Sequence, residues 1–165
     1  MVRYRDILKR LHDHNVEFIV IGGVAAALHG STQGTFDTDV CAPLHDANLG
    51  RIIAALRGLN PRWRFRPDRV IPVDSLEKFS GLKNLYVRTD WGDLDILGEM
   101  PPLGLYGDVK DRFVEYDLGG FACRVLDIDT LLVVKRAVGR DKDKVAVMHL
   151  DAIKRTRDKA QPTGD

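Results

Sequence analysis

The chain has 165 residues, of which 44% are apolar and 30% charged, with a formal net charge of +1 at pH 7, which is typical of one soluble globular domain. No stretch is long and apolar enough to span a membrane, and the near-neutral charge gives no global nucleic-acid-binding footprint, although a local basic patch remains compatible with it. Because no apolar signal segment opens the chain, we expect a cytoplasmic protein whose two cysteines, Cys41 and Cys123, are reduced thiols.

The first elements predicted are a helix, a buried strand and a glycine turn. An amphipathic helix covers residues 4–14, and the apolar run 18–21 predicts a strand over residues 17–21 that is followed by the pair Gly22–Gly23. A glycine pair at a strand-to-helix turn lets backbone N–H groups approach a phosphate closely. Small residues predict a short helix over 24–29. His29 at its end either contacts a ligand or ends the helix as a polar residue, which is the favoured interpretation.

The second predicted strand, residues 36–40, carries two aspartates. Alternation places Asp37 and Asp39 on one face of this strand. Neighbouring carboxylates repel each other unless a positive charge lies between them, and a hard divalent cation with oxygen ligands supplies that charge. Such a cation usually keeps open coordination positions for phosphate. Together with the glycine pair, the aspartates predict a metal–triphosphate site.

The middle of the chain contains an arginine-rich segment, residues 61–67. As a single short strand, this segment would place three arginines on one face: Arg62, Arg64 and Arg66. They either protect a sheet edge from aggregation, which is the favoured interpretation, or form a basic strip for RNA or triphosphate. Residues 84–89 and 92–97 then predict two strands joined by a tight turn.

The C-terminal part is predicted to contain a hairpin and two helices. The hairpin covers residues 113–126, and the helix after it is interrupted at Gly139. Asp141 caps the last helix. Residues 156–165 are expected to form a polar, frayed tail, which leaves residues 1–155 as the folded domain.

The spacing of the glycine pair and the aspartates resembles the nucleotidyltransferase superfamily with the DNA polymerase β-like fold. Within this superfamily, the chain most resembles the small nucleotidyltransferases of toxin–antitoxin and abortive-infection systems. The matching residues are Gly22, Gly23, Ala25, His29, Gly30, Thr35, Asp37 and Asp39. The resemblance implies an α/β (α+β) nucleotidyltransferase fold, with a mixed β-sheet flanked by helices and two C-terminal helices.

The resemblance also implies a catalytic set of three carboxylates. In the family, the first two hold two Mg²⁺ ions on the triphosphate of an NTP, and the third helps to activate the attacking hydroxyl. This assigns Asp37 and Asp39 to metal and Asp95 to metal or general base. Asp95 is flanked by apolar residues, as the family pattern requires, whereas Asp93 would share its face but lacks the apolar residue before it.

The nucleotide-binding residues implied by the resemblance are Gly22, Gly23, Thr35 and Lys135. Lys135 belongs to a run, with Arg140, Lys142 and Asp143, that is similar to one near the C-terminus of the small nucleotidyltransferases. Its amine either reaches the triphosphate or is a solvated charge on a helix face, and both interpretations stay open.

One position departs from the subgroup pattern, because Gln33 stands where an arginine is usual. The loss of a cation near the phosphates predicts slow turnover or a substitute cation, for which the candidates are Lys135, Arg88 and Arg51.

Three functions fit these residues. The favoured one is transfer of a nucleotide to a macromolecule, either tRNA or a partner protein, within a toxin–antitoxin pair. The core leaves little chain to build a deep acceptor pocket, although a dimer could complete one. The alternatives are an antibiotic-type nucleotidyltransferase that modifies a small molecule and a degenerate, non-catalytic nucleotide-binding domain.

Overall fold

The computed structural model describes residues 3–160, and within them the chain forms six α-helices and ten β-strands. The helices are α1 (Tyr4–Asp13), α2 (Gly22–His29), α3 (Asp46–Leu56), α4 (Tyr106–Val109), α5 (Ile128–Val138) and α6 (Asp141–Ala160). The strands are β1 (Ile19–Ile21), β2 (Asp37–Cys41), β3 (Arg62–Trp63), β4 (Arg66–Val70), β5 (Asn84–Thr89), β6 (Gly92–Leu97), β7 (Glu99–Met100), β8 (Gly104–Leu105), β9 (Phe113–Asp117) and β10 (Ala122–Leu126).

Eight strands form one mixed sheet in the order β4-β3-β5-β6-β2-β1-β10-β9, while β7 and β8 form a separate pair. The pairs β2–β6 and β1–β10 are parallel, and the other neighbours in the large sheet are antiparallel. The prediction of a mixed sheet flanked by helices, with two helices at the C-terminal end, is therefore confirmed. No helix within residues 3–160 combines the length and the apolar character needed to cross a membrane.

The core lies between the sheet and the helices, and it is built from the apolar positions of each element. All three residues of β1 are buried, as expected for a central strand covered on both faces. Strands β5 and β6 instead alternate between buried and partly exposed residues, so that one face of each strand carries polar side chains. This second pattern leaves a polar face on the sheet beside β2.

The arginine-rich segment is a hairpin and not the single strand that its sequence predicted. Strand β3 pairs with β5 on one side and with β4 on the other, and the chain reverses direction at Arg64 and Phe65. The reversal means that the three arginines do not share one strand face. Strand β4, which begins at Arg66, is one edge of the sheet, whereas β3 with Arg62 lies inside it, so the edge-strand interpretation fits Arg66 but not Arg62.

The last helix also differs from the prediction. Helix α6 continues to Ala160, so the boundary predicted at Thr156 lies inside a helix. Charged side chains can continue a solvent-exposed helix because helix formation needs no apolar residue at every turn. Residues 161–165, the remainder of the predicted tail, lie outside the described part of the chain, and the domain boundary 1–155 stays a prediction.

Candidate active site

The parallel pairing of β2 and β6 brings four carboxylates onto one face of the sheet. Asp37 lies opposite Asp93, and Asp39 lies opposite Asp95. Residues two apart in a strand point to the same side, and cross-strand partners are about 5 Å apart, so these side chains form a compact group. Carboxylate oxygens of Asp37, Asp39 and Asp95 lie within 4.8 Å of one another. The three predicted catalytic residues are therefore brought together.

Burial and repulsion by neighbouring carboxylates disfavour the charged forms of Asp39 and Asp95. Burial, followed by the negative charges of Asp37 and Asp95, raises the pKa of Asp39 to about 6. Burial also raises the pKa of Asp95, although a hydrogen bond and the positive charge of Arg64 oppose this rise. The arginines at the site therefore do not offset the cost of burying Asp39 and Asp95 as charged carboxylates.

Arg64 is a residue that sequence analysis did not place at the carboxylates. Its guanidinium donates a hydrogen bond to Asp95 and, through Nη2, a second to Asp37 Oδ2 at 3.1 Å. The Nε atom lies 3.4 Å from Asp93 Oδ2. Arg64 sits at the turn between β3 and β4. Because the alternating pattern predicted a single strand here and not a hairpin, it could not predict the position of Arg64.

Asp93 and Asp95 occupy different electrostatic surroundings. Arg88 binds Asp93 through two hydrogen bonds, from Nε at 2.9 Å and from Nη2 at 3.1 Å. Asp95, whose side chain is only 13% exposed, keeps its buried Oδ1 atom without a hydrogen-bond partner within the described part of the chain. A buried carboxylate oxygen without a donor is costly unless something else neutralises it. Asp95 is therefore better suited than Asp93 to bind a cation.

The glycine pair allows the carboxylates to approach the start of α2. A Cβ atom on Gly22 would lie 2.7 Å from Asp39 Cγ, and one on Gly23 would lie 2.7 Å from the Cβ of Thr35. Gly22 also has a positive φ of 65°, which glycine adopts at little cost. Helix α2 begins at Gly22 itself, two residues earlier than predicted, so the pair forms the N-terminal turn of this helix.

Thr35 orients Asp37. Its hydroxyl donates to the backbone carbonyl of Asp37 at 3.0 Å and lies 3.3 Å from Asp37 Oδ1. The predicted nucleotide-binding threonine thus contacts a predicted metal ligand, and it also lines the cleft described next.

A cleft of about 380 Å³ extends from Asp37 and the glycine pair to the start of α6. Four positively charged side chains line it: Arg64, Lys135, Arg140 and Lys142. Gln33 also lines this cleft, and its Nε2 donates to the Lys142 carbonyl at 3.0 Å. The cleft thus combines a carboxylate of the acidic group with several cations, which is the combination that a metal-bound polyphosphate requires.

Lys135 is buried, which contradicts the interpretation that it is a solvated charge on a helix face. Its side chain is 9% exposed, and its Nζ lies 3.5 Å from Asp143 Oδ1. Burial lowers the pKa of Lys135, against the raising effect of Asp143. Arg140 binds the same carboxylate at 2.6 Å. Burial alone would raise the pKa of Asp143, but Arg140 and Lys135 outweigh it and lower that pKa. Asp143 thus holds two cations at the cleft wall.

The other proposed substitute cations lie elsewhere. Arg51 contacts Glu17 at 3.8 Å and the Asn15 carbonyl at 3.3 Å, and none of these residues lines the cleft. Arg51 is therefore not a substitute for the missing arginine. Arg88 is engaged by Asp93, as described above.

His29 is a structural residue at the end of α2, as the favoured interpretation expected. Its Nε2 lies 2.7 Å from the Leu126 carbonyl, and its Nδ1 lies 3.1 Å from the Tyr116 hydroxyl. The ring is buried, and burial lowers its pKa. These contacts tie α2 to the neighbouring strands β9 and β10.

A second cleft, of about 280 Å³, lies on the β5 side of the carboxylates. Its apolar surface comes from Trp63, Phe65 and Tyr86, and Arg66 and Arg69 contribute exposed charges. The rings of Phe65 and Tyr86 lie 5.3 Å apart, and Phe65 is 72% exposed. Tyr86 is the cross-strand partner of Asp95, so this aromatic cleft adjoins the third carboxylate. Arg64 lines both clefts.

The donor set fits a hard divalent cation. All the available ligand atoms of Asp37, Asp39 and Asp95 are carboxylate oxygens, which Mg²⁺ prefers. The buried Oδ1 of Asp95 without a partner among residues 3–160, and the raised pKa of Asp39, both indicate uncompensated negative charge. A cation at this place would remove both costs.

Comparison with known proteins identifies the fold. No protein-family model matches the chain, and no curated protein matches its sequence. Among solved structures, the chain is similar to lincosamide antibiotic adenylyltransferase LnuA in its lincomycin-bound form, with a TM-score of 0.60, 16% identity and coverage of 90% of this chain and 94% of that one. It is also similar to a candidate nucleotidyltransferase from Thermotoga maritima, with a TM-score of 0.54, 16% identity and 96% of both chains covered. The chain therefore has the nucleotidyltransferase fold, as its glycine and aspartate motif predicted.

Proposed function

We propose that the protein is a metal-dependent nucleotidyltransferase that transfers a nucleoside monophosphate from an NTP to an acceptor hydroxyl. One observation carries this proposal. Oxygens of Asp37, Asp39 and Asp95 lie within 4.8 Å of one another, and Asp37 lines a cleft that Lys135, Arg140 and Lys142 also line. Phosphoryl transfer needs positioning and charge neutralisation more than covalent help, and this arrangement offers both.

Mg²⁺ is the metal that the three carboxylates would hold, in line with the two ions implied by the family resemblance. When bound, it would neutralise charge on the triphosphate and make the α-phosphorus more susceptible to attack. Asp37 and Asp39 would act as ligands, and Thr35 keeps Asp37 oriented through its hydroxyl. Asp39 must lose its proton before it can bind, which ties metal binding to pH.

The remaining cleft residues bind the triphosphate. The glycine pair would offer backbone N–H groups to phosphate oxygens, as expected at a helix N-terminus, although without substrate the Gly23 N–H interacts with the Asp39 carboxylate. Lys135, together with Arg140 on the shared Asp143 carboxylate, supplies positive charge that is already fixed in place before the substrate binds.

Asp95 takes the proton of the acceptor hydroxyl in the proposed reaction. A bond forms between the acceptor oxygen and the α-phosphorus, the bond from that phosphorus to the β-phosphate bridging oxygen breaks, and pyrophosphate leaves. The raised pKa of Asp95 makes this carboxylate a better proton acceptor than an exposed one.

The proposed acceptor is a macromolecular hydroxyl, on tRNA or on a partner protein, which would fit a toxin–antitoxin role. The aromatic cleft beside Asp95 is shallow and bordered by the exposed arginines Arg66 and Arg69. Exposed aromatic rings and arginines suit an unpaired RNA end, which stacks its bases and presents phosphates.

A small-molecule acceptor is the second candidate. The observation that favours it is the apolar lining of the same 280 Å³ cleft, which suits a compact, partly apolar molecule. A second copy of the chain could deepen this cleft. The third possibility, a non-catalytic nucleotide-binding domain, differs from both because it binds NTP without transferring it.

A labelling experiment tests the proposal. The protein is incubated with Mg²⁺ and each α-labelled NTP, in the presence of total tRNA, co-encoded proteins, a lincosamide or an aminoglycoside. Label on tRNA or protein supports the favoured acceptor, and label on a drug alone supports the second. The matched control is the Asp37→Ala, Asp39→Ala double variant, which should transfer nothing. NTP binding of equal affinity in that variant and in the wild type would refute the site assignment.

A further inference from the structure

We propose that Arg64 is a built-in counterion that exchanges between two partners. In the metal-free protein it pairs with the catalytic carboxylates, and when metal and nucleotide bind it moves to the triphosphate. Arg64 is then a substrate-binding residue that replaces the arginine missing at Gln33. This inference rests on the proposed nucleotidyl transfer and assigns a role to a residue outside the sequence motif.

The contacts of Arg64 are those of a metal substitute. Its guanidinium bridges Asp95 and Asp37, two of the three carboxylates that would bind metal, and its Nε lies 3.4 Å from Asp93. A cation cannot occupy the space between Asp37 and Asp95 while the guanidinium is there. Metal binding therefore requires Arg64 to leave.

The structure leaves Arg64 free to move without unfolding the hairpin. Its backbone N–H donates to the Tyr86 carbonyl at 3.1 Å, which anchors the turn to β5 independently of the side chain. The side chain is 20% exposed and lines the cation-rich cleft as well as the aromatic one. A rotation about the side-chain bonds is enough to change its partner.

The exchange has a direct electrostatic reason. Once metal neutralises Asp37 and Asp95, the guanidinium keeps only Asp93, whose carboxylate Arg88 also binds. A triphosphate in the same cleft then becomes the strongest acceptor nearby. Arginine suits this step because its planar guanidinium binds carboxylates and phosphates with the same bidentate geometry. Gln33, which also lines the cleft, carries no charge to perform this task.

Metal binding measured without catalysis tests the exchange. Mn²⁺ is titrated into wild type and Arg64→Gln and followed by electron paramagnetic resonance, first alone and then with a non-hydrolysable NTP analogue. Arg64→Gln should bind Mn²⁺ alone about tenfold more tightly, because the competing cation is gone, and should bind the Mn²⁺–nucleotide complex about tenfold more weakly. These opposite changes are not expected from a merely structural ion pair.

Arg88→Gln is the matched control, since it removes an arginine of the same charge that binds Asp93 and not Asp37 or Asp95. A gain in Mn²⁺ affinity of equal size in this control would overturn the proposal, because it would reflect net charge alone. Unchanged nucleotide affinity in Arg64→Gln would also overturn it. If Arg64→Gln does not fold, Arg64→Lys serves instead, because a single ammonium cannot bridge both carboxylates. The Mn²⁺ titration needs no acceptor, so it can fail or succeed independently of nucleotidyl transfer.

Discussion

Asp39 lies directly opposite Asp95 on the neighbouring parallel strand, and burial together with the charges of Asp37 and Asp95 raises the pKa of Asp39 to about 6. The unperturbed value is 3.8, so the folded protein binds a proton here that the unfolded chain has already released. This group stabilises the fold fully below the unfolded pKa, and its contribution is lost as the pH rises through about 6.

The first prediction follows from the raised pKa of Asp39. Without metal, the stability of wild type relative to Asp39→Asn should fall between about pH 4 and pH 7, by no more than about 3 kcal/mol. Thermal unfolding of both proteins in EDTA measures this difference. The comparison with the variant is needed because His29 contributes to the stability of both proteins. Burial lowers the pKa of His29, so its contribution to stability rises with pH, opposite to that of Asp39. Added Mg²⁺ should stabilise wild type more at the higher pH, and an equal effect at both pH values would contradict the assignment.

The second prediction separates the two acidic residues of β6. Asp95→Asn should abolish nucleotidyl transfer while leaving much of the Mg²⁺-dependent NTP binding measured by calorimetry, because it removes the proposed proton acceptor. Asp93→Asn should be mild, because Asp93 is already held by Arg88. The Asp93→Asn protein would still lose two ion pairs, to Arg88 and to Arg64, each worth about 1 kcal/mol or less at these partly exposed places. The reverse order of effects would give the catalytic role to Asp93.

The third prediction concerns the glycine pair. Gly22→Ala should weaken Mn²⁺ binding, because the new methyl group would displace Asp39 and the backbone has a positive φ of 65°. The left-handed backbone alone should cost about 1–2 kcal/mol of stability. Gly34→Ala is the matched control, since a Cβ there meets nothing within 4 Å in the described part of the chain. Equal Mn²⁺ affinity in both variants would show that Asp39 is not positioned by Gly22.

The fold and the carboxylates could be predicted because the signals are local. Alternation within β2 fixes Asp37 and Asp39 on one face, and the glycine pair marks the start of α2. Arg64 could not be placed, because its position depends on where β3 turns and on pairing with β5, more than twenty residues further along the chain. The burial of Lys135 likewise depends on packing of α5 against α6, which periodicity does not reveal.

The fourth prediction concerns the missing arginine. Gln33→Arg should raise turnover without greatly changing acceptor choice, because it adds charge to the wall of the triphosphate cleft. Lys135→Met should lower turnover by about tenfold or more, since it removes a cation held in place by Asp143. Steady-state kinetics on the identified acceptor measures both effects. If Gln33→Arg has no effect while Lys135→Met is inactive, the existing cations already supply the charge.

The last prediction is that the acceptor is a macromolecule that docks on the aromatic cleft. Arg66 and Arg69 lie on the exposed edge strand, away from the carboxylates, so replacing both by alanine should spare NTP binding. Labelling of tRNA or protein should nevertheless fall several-fold in this double variant, and labelling by wild type should weaken as salt is added, because screening acts on exposed charges.

Phe65→Ala should reduce labelling of an RNA end through lost stacking, by about 1–3 kcal/mol per base. The sequence pattern grouped Arg62 with Arg64 and Arg66, but Arg62 Nη1 donates to the Pro67 carbonyl at 3.1 Å, so Arg62→Ala is a suitable charge control. Efficient, salt-insensitive modification of a lincosamide or an aminoglycoside, without label on RNA or protein, would instead assign the cleft to a small molecule.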